Sequence, residues 1–316
     1  MRKLVVLLVS VLALASRSAS AQTAPALIPV QIGAAPIDLN GAVFYAQDLG
    51  YFKQAGLDVT IGLTFAGVEA SAAALLAGSI QVGSANTATI AQAHLRGIDF
   101  RFFAPAGIFT ESARPTEVVA VLKSSPIRTA ADLDGKTLGV NSLSSMLQVA
   151  TTSWDDKHGG NGKSLHFVEL AFPQMDAALN EHRIDAAVLT EPFATAADDT
   201  RVIGSPEEGV APTFMTLGWY STADWLNKNP DVARKLITAL RQAAAWGNTH
   251  PAESAAILGK YSKIPVPVAE KMARAVYGLD LDPKLIQPPL DVAARYGYIA
   301  HTFPAAEIMW APPAQK

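Results

Sequence analysis

The 316 residues contain no cysteine. No disulfide can staple the fold, so the chain must be held together by its core. The same absence removes thiolate metal sites, a cysteine nucleophile and the lipid-bearing cysteine of a bacterial lipoprotein. Histidine is scarce: six residues, at 94, 158, 166, 182, 250 and 301, none of them in an H-E-x-x-H spacing. No G-x-S-x-G nucleophile turn occurs. "GGNGKS" at Gly159 to Ser164 has Lys157 where a phosphate loop needs its first glycine, so it reads as a turn. Clustered Lys and Arg are also missing and the formal charge is −3, which argues against a nucleic-acid partner. These absences leave no catalytic group, metal site or cofactor to propose.

What is present begins with a leader. Arg2 and Lys3 precede the apolar run "LVVLLVSVLALA", and Ala19-Ser20-Ala21 fits a small-x-small cleavage site. The expectation is a signal peptide over residues 1–21, with an uncleaved anchor helix as the alternative. The run is short for a membrane span. Removing Arg2, Lys3 and Arg17 takes the charge from −3 to −6 and leaves 295 residues, ample for two cores. The chain is half hydrophobic and 17% charged, a globular composition. This reads as an exported, soluble, monomeric protein of the periplasm.

Two stretches share one plan. "ALLAGSIQVGSAN" from Ala74 and "ALNEHRIDAAVLTEP" from Ala178 each run Ala-Leu, four residues, Ile, a polar residue, then an apolar run. Each reads as a helix end feeding a buried strand, with Ile80 and Ile184 in equivalent places. Around them, strands alternate with single helices: "PVQIGAAP", "LDVTIGLTF", "IQVGSA" and "DFRFFAPA" in the first half, "KTLGVNS", "LHFVELAF", "IDAAVLTEP" and "VIG" in the second. That alternation argues an α/β fold of parallel βαβ units, duplicated. The run Val118 to Leu122 and the segment "APTFMTLGWYST" read as paired connections between the halves. The lobes expected are 27–115 with 217–316, and 116–216. Later helices are expected over "NPDVARKLITALRQAAAWGNTH", "HPAESAAILGKYS", "VPVAEKMARAVYG" and "PPLDVAARYGYI", each with proline near its start.

In such sheets ligands sit beyond the carboxyl ends of the strands, where helix N-termini offer free N–H groups. The candidate ligand-binding residues therefore lie in strand-to-helix loops. In the first half they are Pro36, Asp38, Gly67, Glu69, Ser84, Asn86, Thr87 and Thr110. In the second they are Asn141, Ser142, Ser144, Ser145, Thr190 and Glu191. Ser84, Asn86, Thr87 and the serines also fit simple helix caps. Asp38 and Glu69 fit either a ligand or a helix first turn. Glu191 is either a ligand contact or a latch between lobes, and Trp219 either walls the cleft or fills the core. Arg114 pairs either with a ligand anion or with Glu111 or Glu117.

"YAQDLGYFKQAGLDV", "LLAGSIQVGSAN", "DLDGKTLGVNS" and "IDAAVLTEPF", in this order, resemble the nitrate/taurine/sulfonate type of periplasmic substrate-binding proteins. That group shares a superfamily with the thiamine-pyrimidine-precursor synthases. The resemblance implies a two-lobed periplasmic binding protein fold, each lobe a mainly parallel sheet flanked by helices, with two hinge segments. It implies capture of a small solute for an ABC importer, with the permease and its ATPase as partners. A sulfonate, taurine-like or carboxylate anion is the favoured solute. A nitrogenous heterocycle such as a thiamine pyrimidine precursor is the alternative, as is an exported enzyme or sensor on the same fold. The synthases' cysteine-rich signature is missing here. Leu143 interrupts a loop that is Gly-Ser/Thr-rich in sulfonate and taurine binders.

Overall fold

The computed structural model describes residues 26–63 and 68–314, with no side chains described for residues 68–70. The expected signal peptide and Gly67 lie outside the described residues. The chain opens with β1 (Ile28–Ala34), α1 (Gly41–Asp48), α2 (Tyr51–Gln54), β2 (Leu57–Leu63), α3 (Val68–Leu76), β3 (Val82–Ala85), α4 (Thr87–Leu95) and β4 (Phe100–Pro105). It continues through β5 (Gly107–Thr110), β6 (Glu117–Leu122), β7 (Thr137–Val140), α5 (Met146–Lys157), β8 (His166–Glu169), α6 (Phe172–Asn180), β9 (Ala186–Thr190), α7 (Phe193–Ala196) and β10 (Thr200–Gly204). It ends with β11 (Thr213–Met215), β12 (Gly218–Thr222), α8 (Ala223–Lys228), α9 (Pro230–Gly247), α10 (Pro251–Ser262), α11 (Val266–Ala269), β13 (Val276–Tyr277) and α12 (Pro283–Arg295).

Two five-stranded sheets result, in the orders β2-β1-β3-β12-β4 and β10-β6-β9-β7-β8. In the first, β12 runs against both neighbours; in the second, β6 does. The other four strands of each sheet point one way. The strands that follow the lobe crossings are thus the ones that run backwards. Helices cover both faces, so inner strands are apolar throughout: all five residues of β9 are buried. Helix α9 starts at Pro230 and buries Ala233, Leu236, Leu240 and Ala243 along one stripe, while Asp231 and Arg234 pair on the exposed side.

The two repeated stretches have the same bonding. Ser79 N–H donates to Ala74 O at 2.9 Å, and Arg183 N–H to Ala178 O at 2.9 Å. Gly78 and His182 each hold a left-handed φ, 72° and 54°, as the residue that ends the helix. Gln81 then accepts Gln31 N–H on its side-chain oxygen at 2.8 Å, and Asp185 does the same for Thr137 N–H at 2.9 Å. Ile80 and Ile184 complete the match. A Cβ on Gly33 would stand 2.9 Å from Ile80 Cδ1, and one on Gly139 2.9 Å from Ile184 Cδ1. Each isoleucine packs over a bare glycine, in β1 in the first lobe and in β7 in the second.

Three features differ from expectation. A third sheet, β11-β5-β13, lies where the chain crosses between lobes, so "APTFMTLGWYST" splits into β11 and β12. The helix expected over "VPVAEKMARAVYG" stops after α11. Its remaining backbone is drawn off: Ala273 N–H donates to Glu191 at 3.1 Å, Ala275 N–H to Asp38 at 2.6 Å, and β13 pairs with β5. The helix expected to open at "PPLD" opens earlier, at Pro283, because Asp282 caps it through Lys284 N–H at 2.9 Å.

Candidate functional site

The sheets' carboxyl ends meet across one cleft of about 770 Å³, its open mouth included. The first lobe contributes Ile37, Asn40, Ser84 and Asn86; the second contributes Asn141, Ser145, Met146 and Phe172. Glu117, Phe214, Thr216 and Leu217, at the crossings, form its back wall. Two helices start there. Asn86 caps α4 by accepting from Thr89 N–H at 3.0 Å, and Ser145 caps α5 by accepting from Gln148 N–H at 3.4 Å. The capping and lining readings of these two residues therefore hold together, since capping uses only the Asn86 carbonyl and leaves its NH2 free of that bond.

Of the residues expected at the site, Ser84, Asn86, Asn141 and Ser145 line this cleft. Pro36 is buried between two that do, Ala35 and Ile37. Thr87 and Thr190 are buried beside it, each hydroxyl without a partner among the described residues. Ser142 is buried and its hydroxyl donates to Leu143 O at 3.3 Å. Ser144 turns away with φ 57°, and its carbonyl accepts Gln92 Nε2–H from α4 at 2.8 Å, a bond from lobe to lobe. Thr110 bonds Ser112 and borders a separate small cavity with Arg114, Glu207 and Arg274. Trp219 is fully buried in the core. The Glu69 backbone lies in α3.

Asp38 and Glu191 sit behind the cleft and are occupied. Asp38, wholly buried, accepts Arg274 Nη2–H at 2.8 Å, Ala275 N–H at 2.6 Å and Tyr277 O–H at 2.8 Å. Its own N–H donates to Glu191 O at 3.0 Å, across the lobes. The Glu191 carboxylate accepts from Ala273 N–H and Thr195 N–H, each at 3.1 Å, and from the Thr195 hydroxyl at 2.9 Å. Burial raises the Glu191 carboxyl above the usual range, and these donors oppose the rise.

Sequence reasoning did not single out Asn40, Thr216 or, as a site residue, Glu117. Glu117 opens β6, is half-buried, and pairs in register with Thr190. Burial pushes its carboxyl up to about 8. Glu207 stands behind it, 1% exposed, facing the Glu117 backbone N–H and the Thr216 hydroxyl. Burial and the charge of Glu117 push the Glu207 carboxyl well up too. Ionising either carboxyl near neutral pH is therefore disfavoured, and a charge on Glu117 disfavours it further at Glu207. An acid at the first position of a crossing strand was the available signal.

Among the described residues no three His, Cys, Asp or Glu side chains are grouped to hold a metal, and no helix is long and apolar enough to cross a membrane. Two sheets with facing carboxyl ends and one shared cleft make the two-lobed fold of periplasmic binding proteins. A family model described as NMT1/THI5 like matches residues 40–254, and the chain belongs to that family. No curated protein matches the sequence. Solved structures that it resembles include the alkanesulfonate-binding protein SsuA of Xanthomonas axonopodis pv. citri bound to MOPS. That pair has 19% identity, covering 91% of this chain and 99% of that one, with a TM-score of 0.74. The periplasmic nitrate-binding protein NrtA of Synechocystis PCC 6803 is 15% identical over 89% of this chain and 85% of its own, with a TM-score of 0.74. The desulfurization enzyme DSZB is 13% identical over 89% and 96%, with a TM-score of 0.62.

Proposed function

We propose that the protein is the periplasmic solute-binding component of an ABC-type importer. It captures a small organic solute between its lobes and presents the closed form to a permease. The observation that carries this is the cleft itself: side chains from both lobes and both crossings line one space at the strand ends, where α/β sheets bind ligands. The names of the sulfonate- and nitrate-binding neighbours support a transport role. On this reading residues 1–21 are the export signal, 27–115 with 217–316 form one lobe, and 116–216 form the other. The crossings beside β5 and β11 are the hinge, and the protein acts as a monomer.

Catalysis is the weaker reading, despite the enzyme among its neighbours. Among the described residues, the cleft holds serines and one glutamate, but no histidine or lysine to serve as their base. A small anion has the N-termini of α4 and α5 in its favour. The side chains of the cleft favour a different head group, taken up below. The test is a thermal-shift screen of the mature protein over sulfonates, carboxylates, amines and pyrimidines. A true solute at a hundred times its Kd adds about 2.7 kcal/mol of stability. A library with no stabilising member would overturn the solute-binding reading.

A further inference from the structure

The cleft has donors, among them the Asn86 NH2 and the Ser84 and Thr216 hydroxyls, and beside them it has an unpaired acceptor and an acid. Asn40 is 1% exposed and borders the cleft. Its amide NH2 donates to Ala35 O at 3.0 Å, which fixes the flip of the amide. Its Oδ1 then has no partner among the described residues. A buried carbonyl left so needs a donor. Among the described residues lining the cleft, Glu117 is the one ionisable side chain, and no Lys, Arg or His joins it. The rest of the lining mixes hydroxyl and amide side chains with apolar ones, and it includes two phenyl rings, Phe172 and Phe214. A half-buried acid, an unpaired carbonyl and aromatic rings together suit a positively charged nitrogen.

We propose that Glu117 selects the solute's head group, and that this head is an organic ammonium or another N–H-bearing cation on an apolar body. The proposal rests on the solute-binding reading and narrows it. Asn40 Oδ1 accepts a second N–H of the same head. The helix N-termini oppose a cation, each with roughly half an elementary charge. The caps Asn86 and Ser145 each take up one N–H of those termini, and the Glu117 carboxylate lines the cleft where the head would sit.

The proton balance follows. Without solute, burial keeps the Glu117 carboxyl protonated near neutral pH, and burial with the charge of Glu117 does the same for Glu207. Other charged groups do not relieve this. The residue opposite on β9 is Thr190; Glu208 adds repulsion at Glu207; Arg274 is bound to Asp38; Arg114 lies in the small cavity on the far side of Glu207. An ammonium arriving at Glu117 favours its carboxylate, so the Glu117 proton leaves to solvent as the cation enters. Affinity for the cation must therefore weaken as pH falls below about 8.

The experiment uses matched probes on the mature protein. These are phenethylammonium, phenylpropionate, phenylethanesulfonate and phenylpropionamide, with the same heads on cyclohexyl and short linear bodies. The ammonium arm should raise Tm in the wild type, and Glu117→Gln should weaken its binding by about tenfold or more, since one pKa unit of coupling is tenfold. Calorimetry on the unmodified protein, in phosphate and in Tris, should show proton release on binding. It gives an answer even if the variant folds poorly. Carboxylate or sulfonate binding that Glu117→Gln leaves equal or improves would overturn this inference and leave solute binding standing. Ammonium binding without proton release would also overturn it. No shift from any probe or from the wider screen would overturn both.

Discussion

Glu191 follows directly on β9, is buried, and holds three donors from two different parts of the chain. Ala273 N–H comes from the stretch that leads into β13; Thr195 supplies both N–H and hydroxyl from α7. Removing the carboxylate strands all three in a buried place, and each unmet buried donor costs about 1–3 kcal/mol. Glu191→Ala should therefore lower the urea-measured unfolding free energy by about 2–4 kcal/mol, allowing for relaxation and water entry. Glu181→Ala should change it by less than about 0.5 kcal/mol, because its ion pair with Arg183 is solvent-exposed. Equal losses would show that Glu191 is not a latch. The sequence made this residue visible as an acid at a buried strand end. It could not distinguish a ligand from residue 273 as the partner, since that contact spans 82 positions. The same holds for Asp38, whose partners Arg274, Ala275 and Tyr277 come from the far end of the chain. Glu117 escaped for the converse reason. Nothing local separates an acid that starts a strand at the surface from one that starts it in a cleft.

At the scale of elements, the paired helix ends show what sequence spacing can carry. The Ala-Leu-to-Ile interval encodes a helix stop, a left-handed residue and a return into the sheet, all local. So it was legible twice, down to the polar residue that caps the first strand. The copies differ where chemistry matters: Gly78 meets the left-handed φ without strain, while His182 holds φ 54° with a side chain. His182 is exposed and its backbone already makes the helix-ending bond to Leu179 O at 3.0 Å. His182→Gly should raise stability by about 0.5–1 kcal/mol, and Gly78→Ala should lower it by about 1 kcal/mol. Urea titrations of the two variants check this, and a loss from His182→Gly would count against the strain. The third sheet was not legible. Strands β5, β11 and β13 are four, three and two residues long, too short to show a period of two, and their pairing depends on where two crossings and a late segment converge.

For the whole molecule, the crossings and the late helix α12 together set what motion is available. The chain leaves the first lobe by β5 and returns by β11, and the two pair antiparallel with Phe109 opposite Phe214. This makes a narrow pivot. A second apolar core joins the lobes beside it: Ile286 and Leu290 of α12 cluster with Ile90 and Phe102 of the first lobe and with Met146 and Val149 of the second. Opening must keep that core intact, so the lobes should swing as a clamp hinged along α12, with the Gln92–Ser144 bond fastening them beside that hinge. The absence of native cysteine makes this testable with spin labels placed by Lys53→Cys in α2 and Lys163→Cys in the second lobe. Both positions are polar and lie away from the cleft. A population of open molecules should give a broad, longer distance that narrows and shortens when the solute identified by the screen is added. Breaking the lobe-to-lobe bond with Gln92→Ala should shift the unliganded distribution further open and weaken the solute by a few-fold. That factor corresponds to roughly 1 kcal/mol, the net worth of one exposed hydrogen bond. One distance, the same with and without solute and in Gln92→Ala, would mean that α12 and the shared core lock the lobes, and that solute enters a preformed site without hinge motion.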